Sequence, residues 1–339
     1  MDAAPIIHLP ASALPADEFQ RGRLLRNYFP DKQPEAVFSE HNGWEVRLAW
    51  PSAESYYKDS KLSTGVQALF GTDALDNLSS LRGIFGSISV SLCDSWTLLE
   101  WSSSLAHSED TRPLVIIHVD AHSDLMAPLL KVDGSSLFDL ITGAEVNIAL
   151  PASVDAAIRS GAIGIGSFLV PFLWQENCET LVHLCPNIYS PDIRGWGLLE
   201  KTTVADDLLA PATLRPMVRR NVIAGSGTSR HLVAETLRDS HLELHGKQIL
   251  LHIDLDYFNN RYNGDSHWHE QEDRHDPPVT DMLEAVERLF VELTESGMEE
   301  IAHLMIACSP EFCPAEYWEP LIERINQRFS NLVKQVDQP

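Results

Sequence analysis

A chain of 339 residues is long enough for one large α/β domain or two smaller ones, and its formal net charge of −24 disfavours nucleic acid and anionic lipid as partners while suiting a cationic ligand. No apolar run reaches the roughly 18 residues of a membrane span, and the first 20 residues hold Asp2, Asp17 and Glu18 but no Lys or Arg, unlike a secretory leader. Five cysteines (Cys93, Cys178, Cys185, Cys308 and Cys313) form no Cys-x-x-Cys pair, so reduced thiols and a cytoplasmic location are expected.

Along the chain, short apolar runs resembling buried parallel strands alternate with helical patterns. The runs are Ala36-Val37-Phe38, ending at Ser39-Glu40-His41, then Leu114 to Val119, Ala162 to Val170, Thr180 to Leu184, Ile249 to Ile253 and His303 to Ala307. Helical spacing covers Ser91 to Ala106, Ser153 to Arg159 and Thr280 to Ser296, with Ser153 and Thr280 placed as N-caps, and Pro314 to Val333 reads as a closing helix. Apolar strands alternating with helices predict a three-layer α/β/α fold with a mostly parallel central sheet. The whole of residues 1–339 is expected to form a single domain, with insertions near the cleft at 42–85 and 259–278. No internal repeat is visible.

Asp120-Ala121-His122-Ser123-Asp124 follows the first long apolar run. In an extended backbone, side chains at i, i+2 and i+4 point to one side, so Asp120, His122 and Asp124 are expected to converge. Asp254-Leu255-Asp256 repeats the pattern after the run Ile249 to Ile253. A single such motif is often only a solvated strand end; two of them at the carboxyl ends of strands, where open parallel sheets bind ligands, point to a site. Burying four carboxylates together without cations costs several kcal/mol per charge or keeps the acids protonated. Oxygen-rich ligands with some imidazole suit Mn²⁺, and five or six ligands are enough for two ions about 3.5–4 Å apart that share a bridging carboxylate and an activated water.

Asp-Ala-His-x-Asp after one strand and Asp-x-Asp after a later one resemble the arginase and agmatinase superfamily. That resemblance implies two Mn²⁺ ions, with Asp120 and Asp254 bridging, His122 and Asp256 on one ion and Asp124 on the other. It also requires a further histidine from the end of an earlier strand. His41 is the expected residue, because Val37-Phe38-Ser39-Glu40-His41 reads as a strand end; His107 is the rival. Ser39-Glu40-His41-Asn42, Asp254-Leu255-Asp256-Tyr257-Phe258 and Cys308-Ser309-Pro310-Glu311-Phe312-Cys313-Pro314 are most similar to the peptide arginases, which convert arginine in ribosomally made precursor peptides to ornithine and release urea.

The resemblance implies catalysis with Asp124 moving the proton and Glu311 pairing with the substrate guanidinium by a bidentate bond. Its implied partner is an arginine-containing precursor peptide; the oligomeric state stays open. The chain departs from free-arginine enzymes in three places: Asn259 stands where a third aspartate is usual, no histidine lies between His122 and His183, and the loop that grips a free amino acid is not recognisable after Asp124. A hydrolase of a small free guanidino compound and a non-catalytic binding protein of the same fold are the alternatives.

Glu145 and Asn147 are candidate pocket residues, or belong to the start of a helix. His267, His269 and His275 lie in an acidic loop as a lid, a separate zinc site or the missing proton shuttle. Ala224-Gly225-Ser226-Gly227-Thr228 lacks the lysine of a phosphate loop and reads as a flexible connection.

Overall fold

The most apolar runs of the chain become its innermost strands. A computed structural model describes residues 4–52, 59–71, 78–106, 108–176, 178–186, 193–221, 229–238, 240–264 and 276–336, the last four by backbone alone. The N-terminal part contains β1 (Ile6–Leu9), α1 (Glu18–Tyr28), β2 (Gln33–Ser39) and β3 (Gly43–Ala49). Then come α2 (Leu62–Phe70), β4 (Arg82–Phe85), β5 (Ile88–Ser91), α3 (Ser95–Leu105) and β6 (Leu114–Val119). A small sheet of β7 (Leu130–Asp133), β8 (Ser136–Asp139) and β9 (Glu145–Val146) precedes α4 (Pro151–Ser160), α5 (Leu169–Gln175) and β10 (Cys178–Leu184). The remainder is β11 (Gly195–Ala205), β12 (Leu214–Asn221), β13 (Ser229–Ala234), β14 (Gln248–Asp254), α6 (Val279–Glu295), β15 (His303–Ala307) and α7 (Trp318–Val336).

The central sheet has nine strands in the order β12-β11-β13-β10-β6-β14-β15-β5-β4. From β13 to β5 all neighbours are parallel, and antiparallel partners close both edges. Every residue of β6 and of β14 is buried, because helices cover both faces. Val115, Ile117, Val119, Ile249, Leu251 and Ile253 share one core with α2, α6 and α7. Leu114, Ile116 and Leu250 face the other core, built from α3, α4, α5 and the N-terminal elements. The chain leaves β6 toward β10 on one side and fills β14 on the other, so a crevice opens beyond their carboxyl ends. Among the described residues no helix is long and apolar enough to cross a membrane.

Two expected strands are corrected. Ala36-Val37-Phe38 lies in β2, an antiparallel strand paired with β3 in a separate three-stranded sheet, and Val37 and Phe38 are 67% and 48% exposed. Ala162 to Val170 forms a 3₁₀ turn (Ile165–Ser167) and the start of α5. Gly161, Gly164 and Gly166 interrupt its apolar pattern, and a run of this kind is equally apolar whether it becomes a strand or a buried helix. Ser153 falls inside the first turn of α4 and Thr280 inside that of α6; the N-cap positions are Leu150 and Pro278.

The described part of residues 42–85 supplies β3, the sheet edge β4 and the helix α2. Gly65 of α2 approaches the 3₁₀ turn Ala315–Tyr317 so closely that a Cβ would lie 2.7 Å from that of Ala315. Of 259–278, residues 265–275 lie outside the described residues, but their flanks are tied down. Arg261 Nε donates to Asp276 Oδ1 (2.8 Å) and its Nη2 to Glu316 (2.7 Å), while Gly264 N donates to Glu311 O (3.0 Å). The loops after β14 and β15 are thereby stapled together.

Candidate metal centre

Asp120 immediately follows β6 and Asp254 ends β14, on adjacent strands. Neither motif stays extended. His122 N donates to Asp120 Oδ1 (2.5 Å) and Asp256 N to Asp254 Oδ1 (2.8 Å), so each leading aspartate folds the chain back over its own carboxylate in an Asx turn. Asp120 and His122 thus come together through turns instead of strand alternation, with Asp256 as the third member, while Asp124 joins none of the ligand groups among the described residues. Ala121 N donates to Asp256 Oδ1 (3.1 Å), which locks the two turns together. Asp124 is held at φ 48°, a left-handed backbone that costs a non-glycine residue about 1–3 kcal/mol.

Asp120, His122 and Asp256 bring one ligand atom each within 4.8 Å of one another, and so do Asp94, Asp120 and Asp254. His122 Nδ1 lies 2.8 Å from Asp256 Oδ2. Asp124 Oδ2 lies 3.7 Å from His118 Nε2, on the same side as Asp120. Asp120 Oδ2 and Asp124 Oδ2 are buried without a hydrogen-bond partner, as carboxylates awaiting a cation would be. Hard oxygens plus one imidazole fit a divalent metal ion, and this cluster is compatible with a metal site.

Asp94 is the residue that sequence reasoning missed. It stands at the start of α3, three residues after β5, and its carboxylate makes no cap bond to the helix. Its Oδ1 lies 3.5 Å from Ser309 Oγ and 3.5 Å from His252 Nε2. The usable signal was a short strand, Ile88 to Ser91, running into Asp94-Ser95 and an apolar helix.

His41, the expected further ligand, sits exposed in the turn between β2 and β3 and joins none of these groups; that assignment is corrected. Its strand belongs to the small N-terminal sheet, so its end does not face the crevice. His107, His267, His269, His275 and Ala224 to Thr228 lie outside the described residues.

Beneath the carboxylates runs a layer of histidines. His252, His118 and His183 are aligned in register on β14, β6 and β10. His118 Nε2 faces His122 O (3.1 Å) and must donate to it; its Nδ1 then accepts from His252 Nδ1 (2.9 Å), which leaves His252 Nε2 as a bare lone pair toward Asp94. His183 Nε2 donates to Asp120 O (3.1 Å). The signal was legible, since His-x-Asp occurs in both motifs.

Without a cation this cluster is electrostatically frustrated. Burial first, and then the neighbouring aspartates, push the carboxyls of Asp94, Asp120, Asp124 and Asp254 well above the usual carboxylate range. Burial depresses His118 and carries His252 down to about 3 and His183 down to about 4, so these rings are neutral. Burial would lower His122 too, but the adjacent Asp256 and the other aspartates outweigh it and lift His122 to about 9.

No protein-family model matches the chain, and no curated protein sequence does.

The remaining candidates separate. Glu311 lies in the loop after β15, in a recess with Cys93, Ser309 and Phe312. Ser309 links this loop to the cluster, its Oγ donating to Asp254 Oδ2 (2.5 Å) from a residue held at φ 47°. The Phe312 ring packs 4.9 Å from that of His122. Glu145 is exposed on β9, where it accepts from Ser136 Oγ (3.3 Å). Asn147 organises the entry to α4, its Oδ1 accepting from Ala149 N and its carbonyl from Ser153 Oγ. The structure thus gives these two residues positions on the small sheet and at a helix start, away from the cluster. Asn259 is buried and donates to Asp276 (3.2 Å), bracing the loop after β14.

Proposed function

We propose that this chain is a binuclear manganese hydrolase with an arginase-like fold that converts peptidyl arginine to peptidyl ornithine and urea in the cytoplasm, during maturation of a precursor peptide. What carries the proposal is that Asp120 belongs to every ligand group among the described residues: with His122 and Asp256, with Asp94 and Asp254, and with His118 and His252. Asp94, Asp120, His122, Asp254 and Asp256 would hold the ions. Asp94 takes the place that the resemblance assigns to a histidine. When bound, the ions supply an activated water and stabilise charge on the attacked carbon.

The chain's own residues supply the rest. Glu311 receives the guanidinium by a charge-assisted bond. The water oxygen bonds to the guanidinium carbon, the bond from that carbon to the side-chain nitrogen breaks, and urea leaves. Asp124, without a hydrogen-bond partner on Oδ2, takes the water's proton and returns it to the departing amine. Phe312 over His122 keeps bulk water from one side of the cleft. The charge of −24 favours approach of a cationic peptide.

Mass spectrometry of an arginine-containing precursor peptide incubated with enzyme and Mn²⁺ tests the proposal. The expected result is loss of CH₂N₂ per modified arginine with stoichiometric urea. Urea release from free arginine or agmatine but not from peptides would transfer the site to a small guanidino substrate. Absence of bound manganese would remove the hydrolase altogether.

A further inference from the structure

Pro30 and Asp31, which follow α1, wedge the N-terminal elements against the 3₁₀ turn at Ile165–Ser167. Ile165 N donates to Asp31 Oδ2 (2.7 Å), and Gly164 lies so close that a Cβ there would be 2.4 Å from the same oxygen. The carboxylate is thus held by backbone on one side. Its other oxygen, Oδ1, is buried and has no hydrogen-bond partner. The charge of the adjacent Lys32 is felt at this carboxylate, but its Nζ is engaged elsewhere, bonding to Arg159 O (2.6 Å) and lying 3.0 Å from the centre of the Trp50 ring. Among the described residues Asp31 has no ion pair.

Asp31 and Glu311 line the same recess, together with Trp50, Cys93, Ser309 and Phe312. Three of these adjoin the metal centre: Cys93 precedes Asp94, Ser309 bonds to Asp254, and Phe312 covers His122. Burial holds the Asp31 carboxyl up at about 6, the Ile165 N–H and the charge of Lys32 oppose this, and the charge of Glu311 adds to it. The Asp31 charge is felt at Asp124 as well. Two carboxylates lining one recess beside a cluster of aspartates, with Asp31 Oδ1 buried and unpartnered, suit a cation of more than one hydrogen-bonding edge. A guanidinium has five N–H donors in a plane; an ammonium is a compact point charge.

We propose that Asp31 is a second substrate-binding carboxylate, which with Glu311 holds the guanidinium of the substrate from two sides and selects arginine over lysine. The identity of the cation rests on the function proposed above; the assignment of Asp31 to cation recognition rests on the recess alone.

The test uses the full chain and the capped pentapeptide Gly-Gly-Arg-Gly-Gly, with the lysine counterpart as control. Peptide binding is measured by calorimetry on the metal-stripped protein, and KM and kcat for urea release on the manganese-loaded protein, for wild type and Asp31→Asn. Thermal melting and manganese content show that the variant is folded and loaded. The expected result is a Kd and a KM for the arginine peptide raised roughly ten- to a hundredfold, with kcat within about threefold of wild type. The lysine peptide should bind weakly to both proteins. Urea release with wild-type KM in Asp31→Asn would overturn the assignment and leave the hydrolase standing. Asp31-dependent binding of the arginine peptide without any urea would do the reverse. Equal binding of arginine and lysine peptides to wild type would overturn the selectivity.

Discussion

Two stretches of this chain start alike and end differently. Val37-Phe38-Ser39-Glu40-His41 and Ile117-His118-Val119-Asp120-Ala121-His122 both run from apolar residues into an acid and a histidine. The first is an antiparallel strand in a small sheet, half its apolar side chains face water, and its histidine is exposed in a hairpin turn. The second is buried on both faces between two parallel partners, and its acid meets acids from other strands. A polar cluster at a strand end becomes a site when the strand is central and its neighbours end at the same level. Local composition does not distinguish the cases.

The sharpest way to break this comparison is Asp254→Asn. It removes one oxygen shared by the second ligand group, so manganese content should fall and turnover should drop to background while circular dichroism stays native. Full activity in that variant would refute the metal assignment. Next in size is the contrast between Asp94→Ala and His41→Ala. The first should lower manganese occupancy and cut activity about a hundredfold or more; the second should leave both within about twofold. Asp94→His, restoring a ligand, should recover part of the loss.

A smaller effect concerns pH. Asp94, Asp120, Asp124 and Asp254 titrate in the folded, metal-free protein above the ordinary 3.8. These four carboxyls hold protons in the folded state that the unfolded state has released, so their contribution to the stability of the metal-free protein falls as pH rises above that value, whereas His118, His183 and His252, depressed by burial, contribute in the opposite sense below 6.5. His122, raised to about 9, contributes stability that is present below 6.5 and lost as pH rises through 9, in the same direction as the carboxyls. With saturating Mn²⁺ the trend should reverse, because the metal competes with those protons. Melting temperatures between about pH 6.5 and 8, where the buried histidines no longer contribute, check this in chelator and in manganese; parallel curves would count against it. The smallest effects separate the two strands themselves. Ile117→Ala, in the core, should cost about 2–5 kcal/mol, whereas Val37→Ala should stay within about 0.5 kcal/mol; urea unfolding measures both.

Much of the centre was legible because it is local. Asp120, His122, Asp124, Asp254 and Asp256 lie within five-residue turns that end buried apolar runs, and burial of β6 and β14 on both faces follows from Leu114 to Val119 and Ile249 to Ile253 being continuously apolar. The mostly parallel sheet was legible for the same reason. The long β11–β12 hairpin was not, since Gly195–Ala205 and Leu214–Asn221 mix polar and apolar residues at a sheet edge where half-exposure blurs the pattern.

By itself, the sequence determined which acidic and histidine side chains gather at the ends of the two central strands, because an Asx turn needs only its own residues. The tertiary structure alone decided that β15 lies between β14 and β5, which brings Asp94 and Ser309 to Asp254 across 160 and 55 positions of chain. It also decided that His41 faces solvent and that Asp31, from the N-terminal elements, reaches the recess beside Glu311. These are matters of strand order and packing between distant segments, and no local spacing encodes them.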